Sequence, residues 1–207
     1  GQSDETIRFS ADNAGQALKF ELRASADTNG EIRIVTDTNS GNSSAAVGFG
    51  NNNISSVQIV SSGTNTNANV IRAVDNGSNN YYAFDNQNGP NNFSASGSQA
   101  LTITAEVGVA LTASDDERGF ESGVNFNGSD ASGVLRIAGS GSSDVLQGGS
   151  ADDILYGLGG SDVLTGNGGA DQFRFSNWSG TDKIQDFNSN QDKVGLQRVD
   201  FANTTAT

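Results

Sequence analysis

Apolar and polar residues alternate along several short stretches of the amino-terminal part of the chain. The clearest are residues 18–22 and 101–111, where every second side chain is apolar. This period of two is typical of a strand with one buried face. Further strands are predicted at residues 7–9, 32–35, 57–60, 70–74 and 81–84. Because no stretch has the apolar spacing of an amphipathic helix, we expect a β-rich region, either a sandwich or a solenoid.

A second periodicity begins at Gly139. Four consecutive blocks of nine residues have Gly at position one, Asp at position six and a large apolar residue at position eight. Glycine allows a tight loop, and the three residues after the Asp extend as a strand whose middle side chain points inward. One block buries too little to be stable, so the blocks must stack. The aspartates are Asp144, Asp153, Asp162 and Asp171, and the inward residues are Leu146, Leu155, Leu164 and Phe173.

The spacing of the aspartates predicts a metal site. With two blocks per coil, Asp144 lies above Asp162 and Asp153 lies above Asp171. Stacked carboxylates repel one another in a partly dry environment, and the hard cation Ca²⁺ prefers oxygen ligands. We therefore expect folding and Ca²⁺ binding to be coupled. A flexible Gly/Asp-rich linker is the alternative, but such linkers do not keep apolar residues in phase.

Residues 139–174 resemble the RTX (repeats-in-toxin) family of bacterial calcium-binding proteins. The following Asp182-Lys-Ile-Gln-Asp186 and Asp192-Lys193 segments are similar to the cap that closes RTX β-rolls. The resemblance implies a parallel β-roll, Ca²⁺ as the cofactor and export by type I secretion machinery. It also implies metal ligation by the four aspartates, by main-chain carbonyl groups and by two cap carboxylates. The carbonyl groups are those of Ser140, Ser142, Gly149, Ala151, Gly157, Gly159, Gly166 and Gly168, and the cap residues are Asp182 and Asp186.

The blocks depart from the family pattern at several loop positions. The residues concerned are Ser140, Ser142, Ala151, Leu158 and Asn167. Main-chain carbonyl groups survive such changes, but the loss of Gly from left-handed positions is expected to weaken the first sites. For Asp182 and Asp186, the alternative to ligation is a solvated carboxylate in a surface turn.

We expect three parts: a β-rich assembly region at 1–137, the β-roll with its cap at 138–197, and a tail at 198–207. Residues 123–137 lead into the first repeat without a flexible linker, and this segment resembles those that precede RTX repeats in bacterial surface-layer (S-layer) proteins. The implied function is that of a secreted structural module that self-associates into a surface lattice, with a cell-surface polysaccharide as a further partner. The alternatives are a calcium-dependent adhesin for a glycan or host protein, and the non-catalytic tail of a secreted hydrolase.

The composition narrows the classes of partner. The 207 residues include 24 acidic and 11 basic side chains, giving a net charge of −13, which argues against nucleic acid and anionic membranes. There is no cysteine for disulfides and no apolar run long enough for a transmembrane helix. The start has no Sec-type leader, which is expected of a type I substrate and equally of a piece of a longer protein.

Catalytic chemistry has few candidate groups. Without His or Cys, Ser-His-Asp and Cys-His systems and the zinc site of serralysin-type proteases are excluded. Asp115, Asp116 and Glu117 are the best carboxylates for a glycosidase-type pair, but they cluster in a polar stretch that favours a solvated turn or a secondary Ca²⁺ site. We therefore expect no catalytic residues and no enzyme.

Overall fold

The computed structural model describes residues 8–9, 16–24, 31–35, 47–49, 54–63, 68–74, 82–86, 91–104, 118–175 and 180–196. All regular structure within these ranges is β-strand. A search of the same residues for a long, apolar helix that could span a membrane finds none. Asp115 to Glu117 and the expected tail lie outside the described residues.

The described strands wind as a solenoid in which each long sheet receives one strand from every coil. The first four coils contain three strands each: β1 (Arg8–Phe9), β2 (Gln16–Ala24), β3 (Glu31–Val35), β4 (Val47–Phe49), β5 (Ile54–Gly63), β6 (Asn69–Val74), β7 (Tyr82–Asp85), β8 (Asn92–Gly97), β9 (Leu101–Thr104), β10 (Arg118–Phe120), β11 (Asn125–Ala131) and β12 (Leu135–Ser140). The last three coils contain two strands each: β13 (Val145–Gln147), β14 (Ile154–Leu158), β15 (Val163–Thr165), β16 (Gln172–Phe175), β17 (Lys183–Ile184) and β18 (Lys193–Leu196).

Equivalent strands of successive coils form three parallel sheets. The first long sheet has the order β2-β5-β8-β11-β13-β15-β17, and the second has the order β3-β6-β9-β12-β14-β16-β18. The short sheet, β1-β4-β7-β10, forms the third side of the first four coils only. The repeats therefore extend two sheets that begin in the amino-terminal region, and the prediction of a parallel β-roll is confirmed. The amino-terminal region was expected to be either a sandwich or a solenoid, and its parallel strand pairing is that of a solenoid.

Along the first long sheet the coils shorten toward the repeats. In the first long sheet Leu18 pairs with Val57, Val57 with Phe93 and Phe93 with Phe126, and the sequence separation of the partners decreases at each step. The decrease is much larger at the next step, where Phe126 pairs with Leu146, and the separation then changes little as Leu146 pairs with Leu164. Loss of the third strand accounts for the largest of these changes.

The interior is one continuous column of apolar side chains. Aromatic rings fill the wider three-sided coils, where the ring centroid of Phe84 lies 5.0 Å from that of Phe93 and 5.4 Å from that of Phe120. In the repeats, one fully buried side chain from each strand joins this column. These residues are Leu146, Leu155, Leu164 and Phe173, all fully buried as their phase predicts.

Most of the strands predicted from alternation correspond to strands in the structure. Residues 18–22, 32–35, 57–60 and 70–74 lie within β2, β3, β5 and β6, whereas residues 81–84 overlap β7 and residues 7–9 overlap β1. In the long alternating run, β9 covers Leu101–Thr104, and residues 105–111 lie outside the described residues. The expected lead-in to the first repeat is β12, which runs across the expected boundary between residues 137 and 138.

Candidate metal centre

The four aspartates end the four loops that connect strands of the two long sheets. Asp144 and Asp162 precede β13 and β15 on one edge of the roll, which we call the first edge. Asp153 and Asp171 precede β14 and β16 on the opposite, second edge. All four side chains are at most 2% exposed. Because isolated buried carboxylates are costly, the partners of these groups determine what the edges do.

On the first edge the carboxylates form a ladder with main-chain amides. The N–H of Val124 donates to Asp144 Oδ1 (2.8 Å), and the N–H of Asp144 donates to Asp162 Oδ1 (2.9 Å). The N–H of Asp162 in turn donates to Asp182 Oδ1 (2.9 Å). The structure therefore brings Asp144 and Asp162 together, and Asp182 occupies the same place in the next coil.

The second edge carries an equivalent ladder. The N–H of Leu135 donates to Asp153 Oδ1 (2.7 Å), and the N–H of Asp153 donates to Asp171 Oδ1 (2.8 Å). The next rung is Asp192, whose Oδ1 accepts from the N–H of Asp171 (3.0 Å). Sequence reasoning omitted Asp192 from the site because its separation from Asp171 exceeds that between Asp153 and Asp171, which breaks the period. Asp192 stands two residues before the apolar Val194, the same spacing as between Asp and the apolar residue in each block, and this spacing could have identified it.

Asp186 reaches the second edge at a different point. Its Oδ1 accepts from the N–H of Gly166 (2.9 Å) and its Oδ2 from the N–H of Asn167 (2.7 Å). It therefore caps the start of the fourth loop, whereas Asp192 caps its end. Together the two residues terminate the second edge.

Glycine at position one of each block is required by the carboxylate of the same block. A methyl group on Gly139, Gly157 or Gly166 would collide with Oδ2 of the aspartate five residues later, and a methyl group on Gly148 would lie 2.5 Å from Asp153 Oδ2. The aspartate thus folds back onto the first residue of its own loop. This contact explains why positions one and six occur together in all four blocks.

The carbonyl groups implied by the resemblance lie along the same two edges. The carbonyl of Ser140 accepts from the N–H of Gly159 (3.2 Å), and that of Gly149 accepts from the N–H of Gly168 (3.1 Å). The carbonyl oxygens of Gly157 and Gly166 approach Gly139 and Gly148 of the preceding coil, at 2.8 and 2.6 Å from where a methyl group would be. The carbonyls of Ser142 and Ala151 lie against the glycines at position four of the next loop on each edge, Gly160 and Gly169.

Burial makes the four carboxyl groups weaker acids than usual. It is the main reason why the pKa of Asp144 rises to about 6 and that of Asp171 to about 6, and it also raises the pKa of Asp153. The pKa of Asp162 rises to about 7, because repulsion from Asp144 and Asp182 adds to the effect of burial. A bound cation would remove this cost, since opposite charge favours the ionised carboxylate.

The oxygen atoms present fit Ca²⁺. Asp162 Oδ2 is buried and accepts no hydrogen bond from the described residues, which leaves an anionic oxygen without compensation. Among the described residues no three acidic side chains converge on one point, so carbonyl oxygens must complete any shell. A mixture of carboxylate and carbonyl oxygens is the donor set that Ca²⁺ prefers.

Comparison with known proteins gives one match. The family model described as the RTX calcium-binding nonapeptide repeat matches residues 138–173 in four copies. Neither the curated proteins nor the solved structures contain a match to this chain. The matched residues run from the middle of β12 into β16 and include all four loops of the two edges. Residues 138–173 are therefore calcium-binding repeats of the RTX type, folded as a β-roll.

Proposed function

We propose that the chain is a calcium-dependent structural module of a secreted bacterial cell-surface protein, an S-layer subunit, which assembles into a lattice outside the cell. The observation that carries the proposal is the pair of buried carboxylate ladders along the roll. Such ladders make the folded state dependent on a cation, and cation supply differs between the two sides of a cell envelope. Folding can therefore be confined to the exterior.

The proposed mechanism starts from the cost of the stacked aspartates. At the low calcium of a cytosol, Asp162 and Asp171 are held at raised pKa values that disfavour the folded roll at neutral pH. The roll then remains unfolded, which makes it suitable for type I export. Extracellular sites typically bind Ca²⁺ at about 0.1 to 1 mM, so ions outside the cell would fold the roll.

Continuity of the sheets extends this effect beyond the repeats. β11 pairs with β13 and β12 pairs with β14, so the first repeat coil adds directly to the last three-sided coil. The N–H groups of Val124 and Leu135, in the last three-sided coil, donate to Asp144 and Asp153. Ordering of the roll therefore supports the region that we propose makes lattice contacts. In this proposal the module has no catalytic role.

Electron microscopy and circular dichroism test the proposal together. Addition of Ca²⁺ to calcium-free protein should increase the β-sheet signal and produce ordered sheets whose formation depends on protein concentration. Mg²⁺ at the same concentration is the control, because its small octahedral shell suits carbonyl-rich loops poorly. Identical spectra and solubility with Ca²⁺ and with excess EGTA would refute the mechanism.

A second candidate function is a calcium-dependent adhesin that binds a glycan. The outer face of the first long sheet favours it, because it presents exposed amide side chains in register. Asn92 pairs with Asn125 across β8 and β11, and the exposed Asn127 lies on the same face. Saturable binding on a glycan array without ordered assembly would favour this candidate over the lattice.

A further inference from the structure

The four repeat loops adopt two different conformations. In the third loop Leu158 and Gly160 have φ angles of 73° and 109°, and in the fourth loop Asn167 and Gly169 have φ angles of 67° and 117°. These residues stand at positions two and four of their blocks. In the first loop (139–144) and the second loop (148–153), both described in full, no residue has a positive φ. The repeats are therefore not equivalent.

The residue at position four explains the difference. It is Gly in the third and fourth blocks but Ser142 and Ala151 in the first two, and a Cβ atom disfavours positive φ. Position two does not explain it. Gly149 stands there without a positive φ, whereas Leu158 adopts one despite its side chain.

The first two loops satisfy their aspartates internally. Asp144 Oδ2 accepts from the N–H of Ser140 (2.7 Å), and the Ser140 hydroxyl lies 3.0 Å from Oδ1. Asp153 Oδ2 accepts from the N–H of Gly149 (2.6 Å). In each case the donor is the residue at position two. With the ladder bond to Oδ1, both oxygens of each carboxylate are occupied by hydrogen bonds.

The other two loops lack this closure. Asp162 Oδ2 is buried and has no hydrogen-bond partner among the described residues. In the fourth loop the N–H of Asn167, at position two, donates to Asp186 in the cap instead of Asp171. Cap carboxylates also lie near these two loops, since Asp182 accepts from the N–H of Asp162 and Asp192 from that of Asp171.

We propose that Ca²⁺ binds at the third and fourth loops, together with the cap, and that the first two loops are closed by hydrogen bonds and bind none. This inference rests on the proposed function and specifies its sites. Asp162 and Asp171 are then the ligands that make the roll calcium-dependent. Asp144 and Asp153 are structural acceptors that attach the roll to the three-sided coils without a cation.

Counting bound ions by native mass spectrometry, with calorimetric titration of the same samples, tests the assignment. Asp162→Asn and Asp171→Asn should each lose one ion relative to the wild type, whereas Asp144→Asn and Asp153→Asn should retain the wild-type number. The gain of an ion is the sharper test. Ala151→Gly gives the second block Gly at positions one, two and four, as in the family pattern, and should add one ion.

Ala170→Gly is the matched control for Ala151→Gly. It makes the same change at an exposed position five of the fourth block and should leave the ion count unchanged. Loss of an ion in Asp153→Asn, or an unchanged count in Ala151→Gly, would overturn the assignment. A wild-type protein that binds no Ca²⁺ would instead refute the proposed function, so the two failures are distinguishable.

Discussion

Replacement of Asp162 by Asn should have opposite effects on stability with and without Ca²⁺. The substitution removes the charge but keeps an oxygen that can accept the hydrogen bond from the N–H of Asp144. In calcium-free protein the charge is unfavourable, because burial and the neighbouring Asp144 and Asp182 raise the pKa of Asp162 from 3.8 to about 7. In calcium-loaded protein the same carboxylate is a ligand, and its loss is unfavourable.

The raised pKa of Asp162 determines how much stability the substitution should add to the calcium-free protein. At about 1.4 kcal/mol for each unit of pKa, ionised Asp162 costs the calcium-free folded state about 4 kcal/mol at pH 8, where the group is charged in both states. The Asn side chain is still a polar group buried at a position where one atom has no hydrogen-bond partner among the described residues. The substitution should therefore recover only about half of this cost, about 2 kcal/mol. That gain corresponds to an increase of about thirtyfold in the folding equilibrium constant. With Ca²⁺, loss of one ligand should raise the calcium midpoint at least about tenfold.

Denaturant titrations at pH 8, in calcium-free buffer and in saturating Ca²⁺, measure both effects. An excluded osmolyte added equally to all calcium-free samples brings the transition into range if the wild type is largely unfolded. Asp152→Asn is the control, because Asp152 is an exposed neighbour of Asp153 at a variable position, and Asn can still accept the hydrogen bond from the N–H of Ala170. It should change stability by less than about 0.5 kcal/mol in either buffer. Equal effects of the two substitutions, or a destabilised Asp162→Asn in calcium-free buffer, would refute the assignment of Asp162.

Three further predictions concern protons, glycine and strain. Because the folded-state pKa values of Asp144, Asp162 and Asp171 exceed the unfolded value of 3.8, the folded state binds more protons between about pH 4 and 7. Calcium-free protein should therefore gain thermal stability as the pH falls from 8 to 5. Over the same range the calcium affinity, measured by calorimetry, should fall, because protons compete with Ca²⁺ for the same oxygens. A calcium-free protein that loses stability as the pH falls would contradict the pKa assignments. Gly157→Ala should abolish calcium-induced folding, measured by circular dichroism, because a methyl group would collide with Asp162 Oδ2. Gly168→Ala is the control and should fold normally, because its methyl group would lie 3.7 Å from the nearest atom. Leu158→Gly should stabilise the calcium-loaded roll by about 1 kcal/mol in denaturant titration, because it removes a Leu with a left-handed backbone conformation. Asn167→Gly should stabilise it less, because Asn tolerates this conformation and its Nδ2 donates to the carbonyl of Gly148 (2.7 Å). A larger gain from Asn167→Gly than from Leu158→Gly would contradict the strain argument.

The fold of the repeats could be predicted because its physics is local and periodic. A nine-residue block that buries one side chain and turns through one loop repeats every requirement at the same position, so Leu146 and Asp144 fix the phase of the blocks that follow. The pairing of alternate loops follows from the need to stack two blocks per coil, and the ladders from Asp144 to Asp162 and from Asp153 to Asp171 have this spacing.

The remaining features depend on contacts that the sequence pattern does not encode. The sequence separation of paired residues changes from one three-sided coil to the next in both long sheets, so equivalent residues do not recur at a fixed interval. Strands such as β4 and β10 are too short for alternation to be visible. Asp192 escaped prediction because the cap inserts residues before it, although its hydrogen bond to Asp171 continues the ladder.

The position of the ladders within the solenoid indicates where the calcium requirement begins. At the amino-terminal end of the roll, the partners of Asp144 and Asp153 are the amides of Val124 and Leu135, which carry no charge. Asp162 and Asp171 instead have a carboxylate on both sides, in the preceding coil and in the cap, and the repulsion adds to burial in raising the pKa of each. We therefore expect the need for a cation to be greatest in the last two coils and smallest at the junction with the three-sided coils. On this reasoning the amino-terminal solenoid serves as the template on which Ca²⁺ completes the roll, and separation of the two parts at residue 138 would remove the amide donors that bind Asp144 and Asp153.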